Sequence, residues 1–202
     1  MGCTNSSELA KEEKQLGSSC FRDDSVTKSL TSFNFNELEV DITHFSRGQD
    51  ALGLGGFGMV RLVKKLSGPD RGTEYAMKSM SKSAILKRSS GPAAVNTELN
   101  CLILLADCKY ACQLHYAFQS SSHLFMVLEL AKGGDLRHSL RATPKSRFSE
   151  QAARHLVCQI FLALDHCHKA SILHRGTVLH HCSIVLCNSH IILLCVCAYL
   201  LR

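Results

Sequence analysis

Four glycines between residues 53 and 58 leave the backbone few options. Gly53-Leu54-Gly55-Gly56-Phe57-Gly58-Met59-Val60 fits the spacing GxGxxGxV. Glycines so placed let a chain turn sharply between two strands and bring its backbone N–H groups close to phosphate oxygens. Taken alone, the pattern is shared with dinucleotide-binding turns, which lead straight into a helix. Here Arg61-Leu62-Val63 continues as strand, and Glu74-Tyr75-Ala76-Met77-Lys78-Ser79-Met80 then alternates as a half-buried strand does. That order opposes a dinucleotide-dependent oxidoreductase and favours a hairpin folded over a nucleotide.

The rest of the chain supplies the elements such a hairpin needs. Between Ala93 and Leu105, Val95, Leu99, Leu102 and Ile103 fall on one side at helical spacing, predicting a helix packed on the sheet. Leu124 to Leu130 reads as a buried strand ended by Lys132-Gly133-Gly134-Asp135. Ser149 is placed to cap a long helix running to about Lys169, with Ala153, Leu156, Val157, Ile160, Phe161 and Leu164 as its apolar stripe. Apolar residues form 46% of the 202, enough for a core. The net charge of +6 is scattered without a basic block, so no nucleic-acid partner is expected.

Lys78 supplies a point charge suited to phosphates, and it needs an acid to hold it in place. Glu98, on the next helix, is the candidate. With that pair the order of elements over residues 44 to about 175 resembles the eukaryotic protein kinase family. The match takes in the glycine loop, the Ala76-Met77-Lys78 strand, Glu98, Phe125-Met126-Val127-Leu128-Glu129, Gly133-Gly134-Asp135-Leu136, and Ser149-Glu150 with Arg154, Gln159-Ile160, Leu164 and His168. These look most like the AGC group of serine/threonine kinases, and Tyr116-Ala117-Phe118-Gln119 is similar to its small YANK subfamily.

The resemblance implies an α+β, protein-kinase-like fold with a complete small lobe, antiparallel sheet plus one helix, and only the first helices of the large lobe. It also implies ATP as ligand, Mg²⁺ as its companion in the family, and phosphotransfer onto protein hydroxyls. Leu52, Gly53, Gly55, Gly56, Phe57 and Gly58 would surround the phosphates. Val60 and Ala76 would roof the adenine with Leu128 at the gatekeeper position, and Glu129 and Ala131 would offer hinge backbone groups. Asp135 would meet the ribose. Leu102, Leu114 and His174 would belong to the packed column joining the lobes, and His174-Arg175 is the remnant of the catalytic loop.

The resemblance then breaks. Where the family reads HRDxxxxN, this chain has Ile172-Leu173-His174-Arg175-Gly176. The carboxylate that would orient and deprotonate a substrate hydroxyl is missing, and glycine has no side chain to replace it. No Asn for the second metal position, no DFG and no APE follow. The expectation is a truncated, catalytically inactive relative, or a pseudokinase-like fragment that binds nucleotide or partners without enzyme activity.

Three segments follow from this reading: a polar extension over 1–43, a partial kinase domain over 44–176, and a hydrophobic, Cys-rich tail over 177–202 unrelated to the kinase pattern. An Asp codon interrupted by GT reads as Gly, which makes translated intron one source of the tail. A genuine tail that enters a membrane or packs on the long helix is the other. A zinc site from His180, His181, Cys182 and Cys187 is disfavoured because CxxC pairs are missing. At the other end, Met1-Gly2-Cys3-Thr4-Asn5-Ser6 fits myristoylation at Gly2 with palmitoylation at Cys3. Two acyl chains would give a stable anchor. No secretory signal opens the chain, so its 11 cysteines are expected to be reduced and its location cytoplasmic, with membrane association through Gly2 and Cys3.

Overall fold

The computed structural model describes residues 40–46, 51–55, 58–134, 136–174, 184–187, 190–193 and 198–200. Strands β1 (Ala51–Gly55) and β2 (Gly58–Lys64) form the glycine hairpin, followed by β3 (Glu74–Ser81). Helices α1 (Lys82–Leu86) and α2 (Gly91–Leu104) come next, then β4 (Leu114–Gln119) and β5 (His123–Glu129). These strands make one antiparallel sheet in the order β1-β2-β3-β5-β4. Helices α3 (Leu136–Ala142) and α4 (Glu150–Lys169) follow, and short strand β6 (Ile172–His174) closes the matched elements.

Alternation along β3 divides the core in two. Met80 faces inward with Val95, Leu99 and Leu102 of α2, and this cluster continues without a break to Leu136, Ala163, Cys167 and Ile172. Tyr75 and Met77 face outward, where Phe45, Val63 and Val127 complete a second cluster. On α2, Val95, Leu99 and Leu102 are buried as their spacing predicts, while Ile103 is half-buried at the margin.

Helix α4 begins where expected. The Ser149 hydroxyl accepts a hydrogen bond from the Ala152 N–H at 3.2 Å, and Glu150 in the first turn and Lys169 in the last complement the helix dipole. Its buried side differs from the expected stripe. Gln159, Ala163 and Cys167, spaced by four, are buried, with Leu156, Ile160 and Leu164 packed beside them. Val157 and Phe161 are instead 62% and 69% exposed. Six apolar positions cover more than one helix face, and the side that packs on the inner cluster takes in only part of them.

The cysteines Cys101, Cys108, Cys112 and Cys167 are buried thiols outside any disulfide, and the Cys158 thiol is exposed. Burial pushes the Cys167 thiol up to about 11, so it packs as a small hydrophobe.

The last segment, expected as a tail unrelated to the kinase pattern, is described over 184–187, 190–193 and 198–200. Its described residues form β7 (Ile184–Cys187), β8 (His190–Leu193) and β9 (Ala198–Leu200). β7 and β8 make an antiparallel hairpin, and β9 pairs with β6 through Ile172↔Leu200, Leu173↔Tyr199 and His174↔Ala198. β8 lies against α4 and β9 against α2. Among the described residues no helix is long and apolar enough to cross a membrane.

Candidate nucleotide site

Strand register brings the sequence-predicted roof together. Val60 lies opposite Lys78, Ala76 opposite Leu128, and Leu128 opposite Leu114. Residues directly opposite in an antiparallel pair share a sheet face, and so do residues two apart in one strand. Val60, Ala76, Lys78, Leu114 and Leu128 therefore line one surface, the inner one. Leu102 reaches the same apolar cluster from α2 and is 3% exposed, and Leu114 packs against that cluster half-buried.

On this surface the Lys78 ammonium donates to both carboxylate oxygens of Glu98, at 2.6 and 2.7 Å. The two side chains are only 7% and 11% exposed. Charges so far removed from water persist only when each neutralises the other and is hydrogen-bonded. Glu98 can reach because it follows Val95 by three residues on α2, which turns it towards the sheet with the buried stripe.

The glycine hairpin shows which of its residues must lack a side chain. Gly55 pairs with Gly58, and Gly53 with Val60 across a bulge at Leu52, which is 49% exposed. A Cβ on Gly58 would collide with the Ser79 carbonyl of β3, so strand packing alone requires glycine there. A Cβ on Gly53 would meet no atom within 4 Å. The protein does not explain Gly53 by crowding; open space at that position suits a backbone that must let another molecule approach.

At the far end of β5, Gln113 fixes the hinge. Its amide nitrogen donates to the carbonyls of Cys108 (2.9 Å) and Ala111 (3.0 Å), and its backbone N–H donates to Glu129 Oε1 at 3.1 Å. The Glu129 N–H in turn donates to the Gln113 carbonyl at 3.0 Å, which ties the end of β5 to the residue before β4. Burial pushes the Glu129 carboxyl up, opposed by the bond from Gln113. Ala131 is half-buried against the inner cluster, and Gly134 takes a left-handed φ of 70° that favours glycine. Nothing in the local sequence around Gln113 marks it, because its partners lie in a loop and a strand end.

Gly2, Cys3, Gly56, Phe57, Asp135 and Arg175, all singled out from the sequence, lie outside the described residues. The backbone of His174 ends β6, opposite Ala198.

Comparison with known proteins gives the same picture. Residues 47–176 match the protein kinase domain family. Ribosomal protein S6 kinase alpha-4 of Mus musculus is 34% identical over 158 residues, covering 77% of this chain and 20% of that protein. Its Homo sapiens counterpart is 36% identical over 146 residues, covering 72% and 18%. Ribosomal protein S6 kinase alpha-6 of Danio rerio is 37% identical over 125 residues, covering 61% and 16%. The chain thus spans about a fifth or less of the length of these relatives. Since the family match takes in well over half of the chain and coincides with the sheet, α2 and the start of the large lobe, this chain belongs to the protein kinase domain family, as an AGC-like serine/threonine kinase relative.

Proposed function

We propose that this chain binds ATP between the glycine hairpin and the inner sheet face, and that it does not transfer phosphate at a useful rate. The observation that carries the reading is the buried Lys78–Glu98 pair on the surface shared by Val60, Ala76 and Leu128. In this reading Val60, Ala76 and Leu128 hold the adenine by apolar contact, and the Glu129 carbonyl and Ala131 backbone orient its edge. Asp135 meets the ribose. The backbone from Leu52 through Gly53, Gly55, Gly56, Phe57 and Gly58 lies along the phosphates, and Glu98 keeps the Lys78 ammonium aimed at them.

ATP would supply the transferable phosphoryl group; the chain's residues bind and orient it. A hydroxyl acceptor needs a carboxylate to align it and take its proton, and the position after Arg175 is Gly176. Residues 177–202 contain no acid to stand for the DFG aspartate, and position 181, where the spacing HRDxxxxN puts the other metal ligand, is His181. Positioning and charge neutralisation carry most of the acceleration in phosphoryl transfer. Ligand binding without turnover is what remains.

The test has two arms. ATP at about 100 times its Kd should stabilise the protein by about 2.7 kcal/mol, a rise of roughly 5–10 °C in Tm for a chain of this size. Lys78→Met should abolish most of that rise. In a phosphotransfer assay the parent chain should be indistinguishable from Lys78→Met, and turnover above that control refutes the inactivity.

A second role as a partner-binding fragment draws on Val157, Phe161 and Leu162, which are 62%, 69% and 48% exposed along one stretch of α4. For domain organisation, we propose that 177–202 continues the folded unit rather than hanging from it, on the strength of the β6–β9 ladder. Membrane attachment through Gly2 and Cys3 is part of the same proposal. A Gly2→Ala chain should lose membrane association, and one that stays as membrane-bound as the parent removes the idea.

A further inference from the structure

We propose that residues 33–38 of this same chain dock in a groove on the outer face of the sheet, with Phe33 and Phe35 as the anchors. The groove holds about 600 Å³, within the range of small binding clefts. It lies on the face opposite Lys78. Val63, Met77 and Phe125 line it together with Ile42, Phe45 and the more polar Arg61, Ser79 and His123. The register puts this face beyond doubt. Ser79 pairs with Phe125 and Met77 with Val127, all on the side of β3 that Lys78 does not use.

Of its apolar lining Ile42 is 43% exposed and Phe125 half-buried, so part of the groove is open to a cover. The nearest candidate is the chain itself. Val40 already packs on the outer cluster, and residues that follow it line the groove. Phe35 is five residues before Val40 and Phe33 seven. At roughly 3.3–3.6 Å per extended residue they reach up to about 18 and 25 Å from it.

The residues fit an extended occupant. Phe33-Asn34-Phe35-Asn36 alternates apolar and polar, the signature of a half-buried strand. In extended backbone both rings point to one side and both asparagines to the other. Phe45 and Phe118 are stacked with centroids 5.8 Å apart, and Phe118 and Phe125 at 5.0 Å, so further rings would extend an aromatic row already in place. Docking would tie the amino-terminal extension to the side of the small lobe away from the nucleotide.

Amide hydrogen exchange of the full chain tests this. Residues 33–38 should exchange at least about tenfold more slowly than residues 6–20, independently of protein concentration. Ser79→Trp, which fills the groove, and the double variant Phe33→Ala/Phe35→Ala should each return 33–38 to the rate of 6–20. Should Ser79→Trp fail to fold, the double variant carries the test, because neither of its positions belongs to the described strands. Unprotected 33–38 in the parent chain, or protection that survives both substitutions, overturns the proposal. Protection that grows with protein concentration also overturns it, by assigning the groove to a second copy.

Discussion

Replacing Glu98 by leucine leaves the Lys78 ammonium buried with no counter-charge. Both carboxylate oxygens now lie within 2.7 Å of it, and the lysine side chain is only 7% exposed. Breaking a buried pair by removing one partner costs about 3–5 kcal/mol, because the remaining charge is uncompensated. At roughly 2–4 °C per kcal/mol for a chain of this length, Glu98→Leu should melt about 6–20 °C below the parent. Lys78→Met should lose a similar amount. The double variant Lys78→Met/Glu98→Leu removes both charges and places apolar side chains on an apolar face, so it should recover to within about 1 kcal/mol of the parent, a change that is often neutral or better in such pairs. The assay is urea denaturation of all four proteins, read as a double-mutant cycle. A double variant as unstable as the sum of the singles would refute the reasoning, since the pair would then contribute through packing rather than through mutual neutralisation.

Three further outcomes follow from the geometry. Gly58→Ala should destabilise by about 1–3 kcal/mol because its methyl group displaces the β3 backbone, whereas Gly53→Ala should change stability by less than about 0.5 kcal/mol; equilibrium unfolding distinguishes them. The Asp70 carboxylate is opposed by burial, but hydrogen bonds from Tyr116 (2.6 Å) and Tyr75 (2.7 Å) outweigh it and hold its pKa below the usual range. Its contribution to stability is therefore complete above about pH 4 and is lost as pH falls through its lower folded value. Burial and the bond to Asp70 push the Tyr75 phenol up to about 12, so its contribution is present below about pH 10 and is lost as pH rises through that folded value. Asp70→Asn should flatten the acid limb of a plot of Tm against pH, and an unchanged limb would contradict this. Ser149→Ala should cost about 1 kcal/mol through the lost cap on α4, measured by the same denaturation.

Much of the candidate site was legible because its chemistry is local or is spaced by regular structure. The glycine spacing, the alternation of β3 and the helical placement of Glu98 each depend on neighbours in sequence, and together they lead to an ion pair across 20 residues. Gln113 was not legible, because its role rests on carbonyls at Cys108 and Ala111 and on a strand end at Glu129. The Asp70 cluster escaped for the same reason: Tyr116 lies 46 residues away. On α4, apolar side chains at 157 and 161 satisfy a helical stripe as well as those at 156 and 160 do, and only packing chose between them. The strand pairing of the last segment was not legible because the segment is uniformly apolar. Strands of three or four residues leave no alternation to read, and such runs cannot be told from buried helix or membrane segment by periodicity.

The central claim is that the inner face of the small lobe holds ATP against Lys78. Calorimetric titration of the full chain with a non-hydrolysable ATP analogue tests it most directly. One saturable site is predicted, weakened at least about tenfold, or 1.4 kcal/mol, by Lys78→Met. No binding, or binding of equal strength in both proteins, would contradict it.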